Sequence, residues 1–447
     1  MPKTATAAEC DASPSDKPPS QACEDVDSSS EPAAGLPEAF GCNQWNDWRW
    51  QLRNRIRSVS QLQELFPTLR VPGLAEAAAK FPLAITPYYA SLIQAPDTTD
   101  PIFQMCVPQG QELDDPAFLL DDPLEEGEDM PVPGLVHRYQ DRALLIATTT
   151  CSAYCRHCTR KRVAGIRECS ISPRRLQQVV GYLTAHPEIS DVIVSGGDPF
   201  TMATDALERV IKALREVPTV DIIRVGTRTP VVMPMRITDE LVQMLRKYHP
   251  IWVNTHFNHP NELTPEAAEA CERLVDAGIP LGNQSVLLRG INDSPQVIEK
   301  LCRGLVRMRV RPYYLFQCDL VRGVEHFRTP LSRGLEIMEY LRGRLSGLAI
   351  PSFVVDAPHG GGKIPLLPNY IVSMSPSHTV LRNYEGILVT YPEPGAQAPA
   401  SGPAGNVASP GVWELSAGRA SAIVPSNSAR QRRRRERKSE LLVEARR

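Results

Sequence analysis

The sequence predicts an α/β fold: a partial (β/α)6 barrel of the TIM type, with a helical N-terminal extension and disordered tails. Three observations predict it. From about residue 143 onward, β-rich runs alternate with amphipathic stretches, the pattern of parallel strands joined by right-handed helical crossovers. About six such units occur, enough for an incomplete or complete barrel, with an open doubly wound sheet as the competing architecture. The residues richest in chemistry follow the ends of strand candidates, where folds of this kind place their sites.

Residues 1–40 are rich in Ser, Pro, Ala, Asp and Glu. Such a composition buries too little apolar surface to fold, so a disordered tail is expected, with Cys10 and Cys23 as incidental thiols. Order is expected from Asn43-Gln-Trp-Asn-Asp-Trp-Arg-Trp, an aromatic helical pattern that opens a helical region over 41–135. The core is expected over 136–394. Its strand candidates are Ala143–Thr149, Asp191–Ser195, Asp221–Arg228, Ile251–His256, Leu281–Leu288, Arg311–Gln317 and Ser352–Val355. The intervening helix candidates are Ser172–Ala185, Asp205–Glu216, Asp239–Tyr248, Pro265–Ala277, Ser294–Val306 and Ser332–Arg344. Residues 395–447 return to Pro, Gly, Ala and Ser and contain the basic run Gln431-Arg-Arg-Arg-Arg-Glu-Arg-Lys438. A disordered basic tail is expected there.

The 447 residues carry a formal net charge of -2, so nothing global attracts nucleic acid or an anionic membrane, and neither is expected as a partner. No stretch approaches the ~20 apolar residues of a membrane helix, and the acidic N-terminus does not read as a targeting peptide. Cytoplasmic localisation is the expectation. Eleven cysteines are an odd number, and their spacings do not suggest a secreted disulfide framework.

Three of those cysteines dominate the functional reading: Cys151-Ser-Ala-Tyr-Cys155-Arg-His-Cys158, directly after the first strand candidate. Four thiolates are the rule for ordinary iron–sulfur clusters and closed zinc sites. Three leave one iron of a four-iron cluster open to another ligand. A zinc site completed by His157 or a remote cysteine, or ordinary buried thiols, are the competing readings. The spacing of three residues and then two resembles that of radical S-adenosylmethionine (SAM) enzymes. A second constellation, Asp356-Ala-Pro-His-Gly-Gly-Gly-Lys363, follows the last strand candidate. Its glycines let backbone amides approach a bulky anion, and its lysine is able to form an imine with an aldehyde cofactor. It is not a nucleotide P-loop, because Ile364 stands where a Ser or Thr is needed. Alone, it reads equally as a glycine loop with a surface lysine.

Together the motifs are more specific. Residues from about 43 to 394 resemble the lysine 2,3-aminomutase family of radical SAM enzymes, a family that includes arginine-specific members. The resemblance rests on Trp45-Asn-Asp-Trp-Arg-Trp-Gln, Cys158-Thr-Arg160-Lys-Arg, Val194-Ser-Gly-Gly-Asp-Pro, Thr255-His-Phe-Asn-His-Pro-Asn-Glu, Cys318-Asp319-Leu, His326-Phe-Arg-Thr-Pro, Asp356 through Lys363, and Pro368-Asn-Tyr. It implies a [4Fe-4S] cluster on Cys151, Cys155 and Cys158, and SAM bound through Gly196, Gly197 and Asp198. It also implies pyridoxal 5'-phosphate as an imine of Lys363, with Arg138, Tyr139 and Arg142 at the phosphate. His256 and Gln284 are expected as further cofactor contacts. An external reductant such as flavodoxin or ferredoxin and a homo-oligomeric state follow from the same resemblance.

For the substrate, Arg160 matches the family's α-carboxylate clamp. Asp319 and Asp356 match its acidic pair for a cationic side chain. Two buried carboxylates are costly without a cation, and glutamate-specific relatives lack the pair, so a free basic amino acid is implied. Lysine and arginine remain open. His359 in place of a glycine, Val321-Arg322 and Glu325 after Asp319, and the missing C-terminal cysteine cluster of some lysine enzymes loosen the lysine assignment. The expected reaction is a 2,3-aminomutation, moving the α-amino group to Cβ and giving a β-amino acid, in the manner of antibiotic-biosynthesis enzymes. The alternatives are a radical SAM enzyme acting on a lysine of a protein, or one working without pyridoxal phosphate.

Overall fold

A computed structural model describes residues 44–163, 165–394 and 411–423. The expected tail at 1–40 and the basic run at 431–438 lie outside the described residues. Short helices open the chain: α1 Trp48–Arg53, α2 Val59–Leu65, α3 Leu74–Lys80, α4 Pro87–Ser91 and α5 Pro101–Cys106. Side-chain caps start most of them, as where the Ser58 hydroxyl accepts from Gln61 N at the head of α2, meeting an amide that the helix itself leaves open.

The core is a nine-stranded sheet in strictly sequential order. Its strands are β1 Leu135–Tyr139, β2 Arg142–Thr148, β3 Asp191–Gly196, β4 Ile222–Gly226, β5 Ile251–Thr255, β6 Leu281–Leu287, β7 Val310–Gln317, β8 Ser352–Ala357 and β9 Gly362–Pro365. β2 through β8 run parallel, while β1 and β9 fold back antiparallel at the two edges. Six crossover helices join the parallel strands: α6 Pro173–Ala185, α7 Thr204–Arg215, α9 Asp239–Arg246 (after the short α8, Thr229–Val232), α10 Pro265–Asp276, α11 Pro295–Arg307 and α12 Leu331–Leu341. The sequential order is that of a barrel. A doubly wound sheet would reverse its order at a switch point.

The pleat decides what lies inside. On β3, Val192 and Val194 are fully buried, as are Ile223 and Val225 on β4 and Ile251 and Val253 on β5. These side chains belong to the main apolar core, together with Leu207, Leu241 and Leu274 of the crossover helices. Their alternates, Asp191, Ile193 and Ser195, then Arg224 and Gly226, then Trp252, Asn254 and His256, line a central cavity. Period two thus sends one face of every strand to the helices and the other to the site. The helices answer with their own period: Ala267, Ala270, Cys271 and Leu274 of α10 are buried, at i, i+3, i+4 and i+7.

Two expectations are corrected. Lys363 stands on strand β9, paired opposite Asp356 of β8, and not in a glycine loop; the turn is Pro358–Gly361, between the two strands. Within the expected C-terminal tail, residues 411–423 form α13 Val412–Ser416 and the strand β13 Ala422–Ile423. β13 pairs with β12 Leu388–Pro392 in a small sheet that also contains β10 Ile371–Met374 and β11 His378–Arg382. Leu415 of α13 is fully buried, an apolar anchor that a Gly/Pro/Ser-rich composition conceals.

Candidate active site

The barrel encloses a cavity of about 750 Å³, and every site residue expected from the sequence lines it. The cysteine loop enters over the C-terminal end of β2. It is fastened by backbone bonds from Tyr154 N to Ala84 O and from Arg156 N to Met105 O, both 2.9 Å. Beneath it, the fully buried Glu112 bridges Arg156 Nη2 at 2.6 Å and Lys161 Nζ at 2.9 Å. Burial pushes the Glu112 carboxyl up, but the two cations outweigh it and hold it below the usual range. A basic loop is thus pinned down by one carboxylate from the N-terminal region.

Cys151, Cys155 and Cys158 are free thiols on the cavity wall. Burial and the neighbouring thiols push those of Cys151 and Cys158 up, a bias that bound iron reverses by taking thiolates. Among the described residues, no three His, Cys, Asp or Glu side chains converge on a single metal ion. A four-iron cube takes one thiolate per iron and does not require the three thiols to meet at one point. Arg228 Nη1 lies 2.8 Å from Cys155 Sγ, and its Nη2 is held by Glu262 and Tyr89, each at 2.7 Å.

The glycines after β3 are set by close approach. A Cβ on Gly196, whose φ is +125°, would stand 2.2 Å from Thr148 O, and one on Gly197 would stand 2.3 Å from Thr150 O. Gly197 N and Asp198 N donate to those carbonyls at 2.6 and 2.7 Å. Asp198 accepts from Thr227 Oγ1 at 2.6 Å, Arg228 N at 2.8 Å and Phe200 N at 3.1 Å. Its carboxylate therefore ties the β3 and β4 loops together, although burial still pushes it up. His256 Nδ1 bonds Gln284 O at 3.1 Å, and burial, with Arg228 nearby, lowers the ring to about 4. It is a neutral imidazole at pH 7.

At the barrel seam, Tyr139 of β1 faces β9, while Arg138 beside it is held by Asp129 Oδ2 at 2.8 Å. Lys363 N donates to Tyr139 Oη at 3.0 Å, and a Cβ on Gly362 would come within 3.1 Å of that oxygen. Arg142 stacks on the Tyr139 ring at 3.8 Å. An amine, two guanidiniums and a phenol thus share one wall, a set that suits an aldehyde bearing a phosphate. Lys363 Nζ lies 3.0 Å from both oxygens of Asp356. Asp319 is pushed up to about 7, first by burial and then by the charge of Asp356, with Lys363 opposing.

Arg160 makes a bidentate pair with Glu126, at 2.7 Å to Nη2 and 3.1 Å to Nε. Burial of Glu126 is outweighed by Arg160 and Arg162, which hold its carboxyl down to about 2. Glu126, Arg228 and Glu262 were not expected from the sequence as site residues. Arg228 lies two residues past the end of β4, where the expected residues also follow their strands, so its position was available as a signal. Glu126 sits in an irregular acidic stretch with no motif to single it out.

Residues 338–447 match the family described as Lysine-2,3-aminomutase, and residues 145–301 match the Radical SAM superfamily. The chain is 54% identical over 352 residues to L-lysine 2,3-aminomutase of Clostridium subterminale, covering 78% of this chain and 85% of that protein. It is 50% identical to the Bacillus subtilis L-lysine 2,3-aminomutase, covering 78% of this chain and 75% of that protein. It is 47% identical to a glutamate 2,3-aminomutase of Clostridioides difficile, covering 77% and 82%. With radical SAM motifs on a barrel of this topology and relatives this close over most of their length, the chain belongs to the lysine 2,3-aminomutase family of radical SAM isomerases.

Proposed function

We propose that the protein is a pyridoxal-phosphate-dependent 2,3-aminomutase that moves the α-amino group of a free basic L-amino acid, L-lysine or L-arginine, to Cβ. One observation carries this reading. A single cavity is lined by the three cysteines, Arg160, Lys363 and the Asp319–Asp356 pair. Glutamate fits poorly: its side-chain carboxylate would face two carboxylates.

The cluster and SAM would supply a carbon-centred oxidant, and pyridoxal phosphate an electron sink. Cys151, Cys155 and Cys158 would hold the first; Lys363, Arg138, Tyr139 and Arg142 would hold the second. Arg160 would exchange Glu126 for the substrate α-carboxylate, two charge-assisted bonds for two. Asp319 and Asp356 would fix the cationic end, so that Cβ is presented at a set distance from the cluster. His256, neutral, would position without adding charge. The walls of β3 to β7 would exclude water from a reactive radical.

The test is anaerobically reconstituted protein offered lysine, arginine and glutamate separately, with β-amino products identified by NMR. Products from lysine or arginine support the proposal. Product from glutamate alone overturns it. A borohydride-reducible imine band lost in Lys363→Ala supports the cofactor assignment, and its absence from the wild type points to the reading without pyridoxal phosphate.

A further inference from the structure

The three cysteines of the loop are not equivalent. Arg228 Nη1 donates to Cys155 Sγ at 2.8 Å, whereas Cys158 Sγ accepts from a neutral donor, the backbone N of Arg160 at 3.3 Å. The Arg228 side chain is 7% exposed and is held at both ends. Its backbone N donates to Asp198 Oδ2 at 2.8 Å. Its Nη2 donates to Glu262 Oε1 and Tyr89 Oη, both at 2.7 Å. Glu262 and Tyr89 are fully buried, and the Tyr89 hydroxyl donates to Glu262 Oε1 at 2.8 Å. The other Glu262 oxygen accepts from the backbone N of Asn258 and of His259, at 2.5 and 3.0 Å, so the carboxylate is fixed in its turn. Arg228 and Glu262 therefore form a dipole with its positive end on the sulfur. The pair adds no net charge, yet the guanidinium touches Cys155 through one terminal nitrogen and the carboxylate bonds the other. In a buried site such a difference is poorly screened.

We infer that Arg228 is a positioning residue that sets the reduction potential of the cluster through Cys155, favouring the reduced state. This rests on the cluster reading of the three cysteines. A charge-assisted hydrogen bond draws electron density from the thiolate that accepts it, and hydrogen bonds to cluster sulfurs are a lever on potential. One-electron reduction adds a negative charge. A fixed cation beside a ligand sulfur stabilises that form more than the oxidised one. Because Glu262 and Tyr89 already aim the guanidinium, no reorientation is needed when the electron arrives.

The test is a redox titration of the iron-reconstituted protein with dithionite, free of SAM and substrate, followed by EPR of the reduced cluster. Arg228→Met combined with Glu262→Gln removes both charges together, so no buried ion is left stranded. Its midpoint potential is expected at least ~59 mV below the wild type, a tenfold loss in the ratio of reduced to oxidised cluster for a one-electron couple. Glu262→Gln alone keeps the guanidinium and removes its counter-charge, so its potential is expected to rise. Shifts of opposite sign at equal iron content are what a charge on Cys155 produces and a general loosening of the site does not. An unchanged potential or loss of iron in the double variant, or a fall in Glu262→Gln, overturns the inference and leaves the cluster reading standing. A wild type that takes up no iron overturns both.

Discussion

Asp356 and Lys363 face each other across the β8–β9 pairing, and the lysine ammonium rests 3.0 Å from both carboxylate oxygens. Residues directly opposite in an antiparallel pair share a sheet face, so the register sets this contact. Asp356→Asn should therefore separate two roles. The variant is expected to keep an imine absorbance with pyridoxal phosphate, which depends on Lys363, while kcat/KM for the basic amino acid falls by ~100-fold or more, the loss of a buried charge pair. Absorbance titration and steady-state kinetics check the two parts. Loss of both together would assign Asp356 to the lysine alone.

Asp319 predicts a pH profile. Its carboxyl is raised to about 7, so it is neutral below that pH and a cation holder above it. In the free enzyme, kcat/KM for the basic substrate should climb as pH rises through about 7, and Asp319→Asn should flatten that limb. The stability effect has the opposite sign. A carboxyl raised above its unfolded value costs the fold stability from the unfolded carboxyl's range upward, the full cost being reached above about 7, so Asp319→Asn should raise the Tm more at pH 8 than at pH 5. Calorimetry at both values decides.

Glu126 occupies the guanidinium expected to clamp the substrate carboxylate. Glu126→Gln should replace a charge-assisted fork with neutral bonds and lower KM for the amino acid by roughly tenfold. An unchanged or higher KM would remove Glu126 as a competitor for Arg160.

Glu112 predicts a stability loss. Glu112→Gln leaves Arg156 and Lys161 buried with no carboxylate, and breaking such a pair costs about 3–5 kcal/mol. Denaturant unfolding measures this directly. Iron content after reconstitution should fall as well, because both cations sit in the cysteine loop. In Cys155→Ala the iron should be lost with the fold retained; a variant that kept both cluster and turnover would overturn the cluster assignment.

Much of the fold was legible because its signals are local. Each parallel strand lies within two or three residues of its expected span, since the β-rich runs are short and bounded by helix caps such as Ser172 and Thr264. The edge strands were not legible. β1 and β9 hold His137-Arg-Tyr and Gly362-Lys-Ile, polar and glycine-bearing runs whose strand form comes from pairing with β2 and β8. For the site, the motif-bearing residues all line one cavity, because strand ends converge in a barrel. Arg228 against Cys155 and Glu126 on Arg160 are tertiary facts. No spacing along the chain encodes which carboxylate meets which guanidinium.

The sheet order begins at β1 and ends at β9 without joining them, and the Tyr139–Lys363 hydrogen bond is a tie between the two margins. The expected phosphate ligands stand on one margin and the imine lysine on the other. A molecule that grips Arg138 and Lys363 at once would act as a clasp, turning an open staved wall into a continuous hoop. Its binding free energy would then add directly to the resistance of the barrel to unfolding. Thermal denaturation with and without pyridoxal phosphate would thereby report on occupancy of the margin, with no need for iron, SAM or turnover.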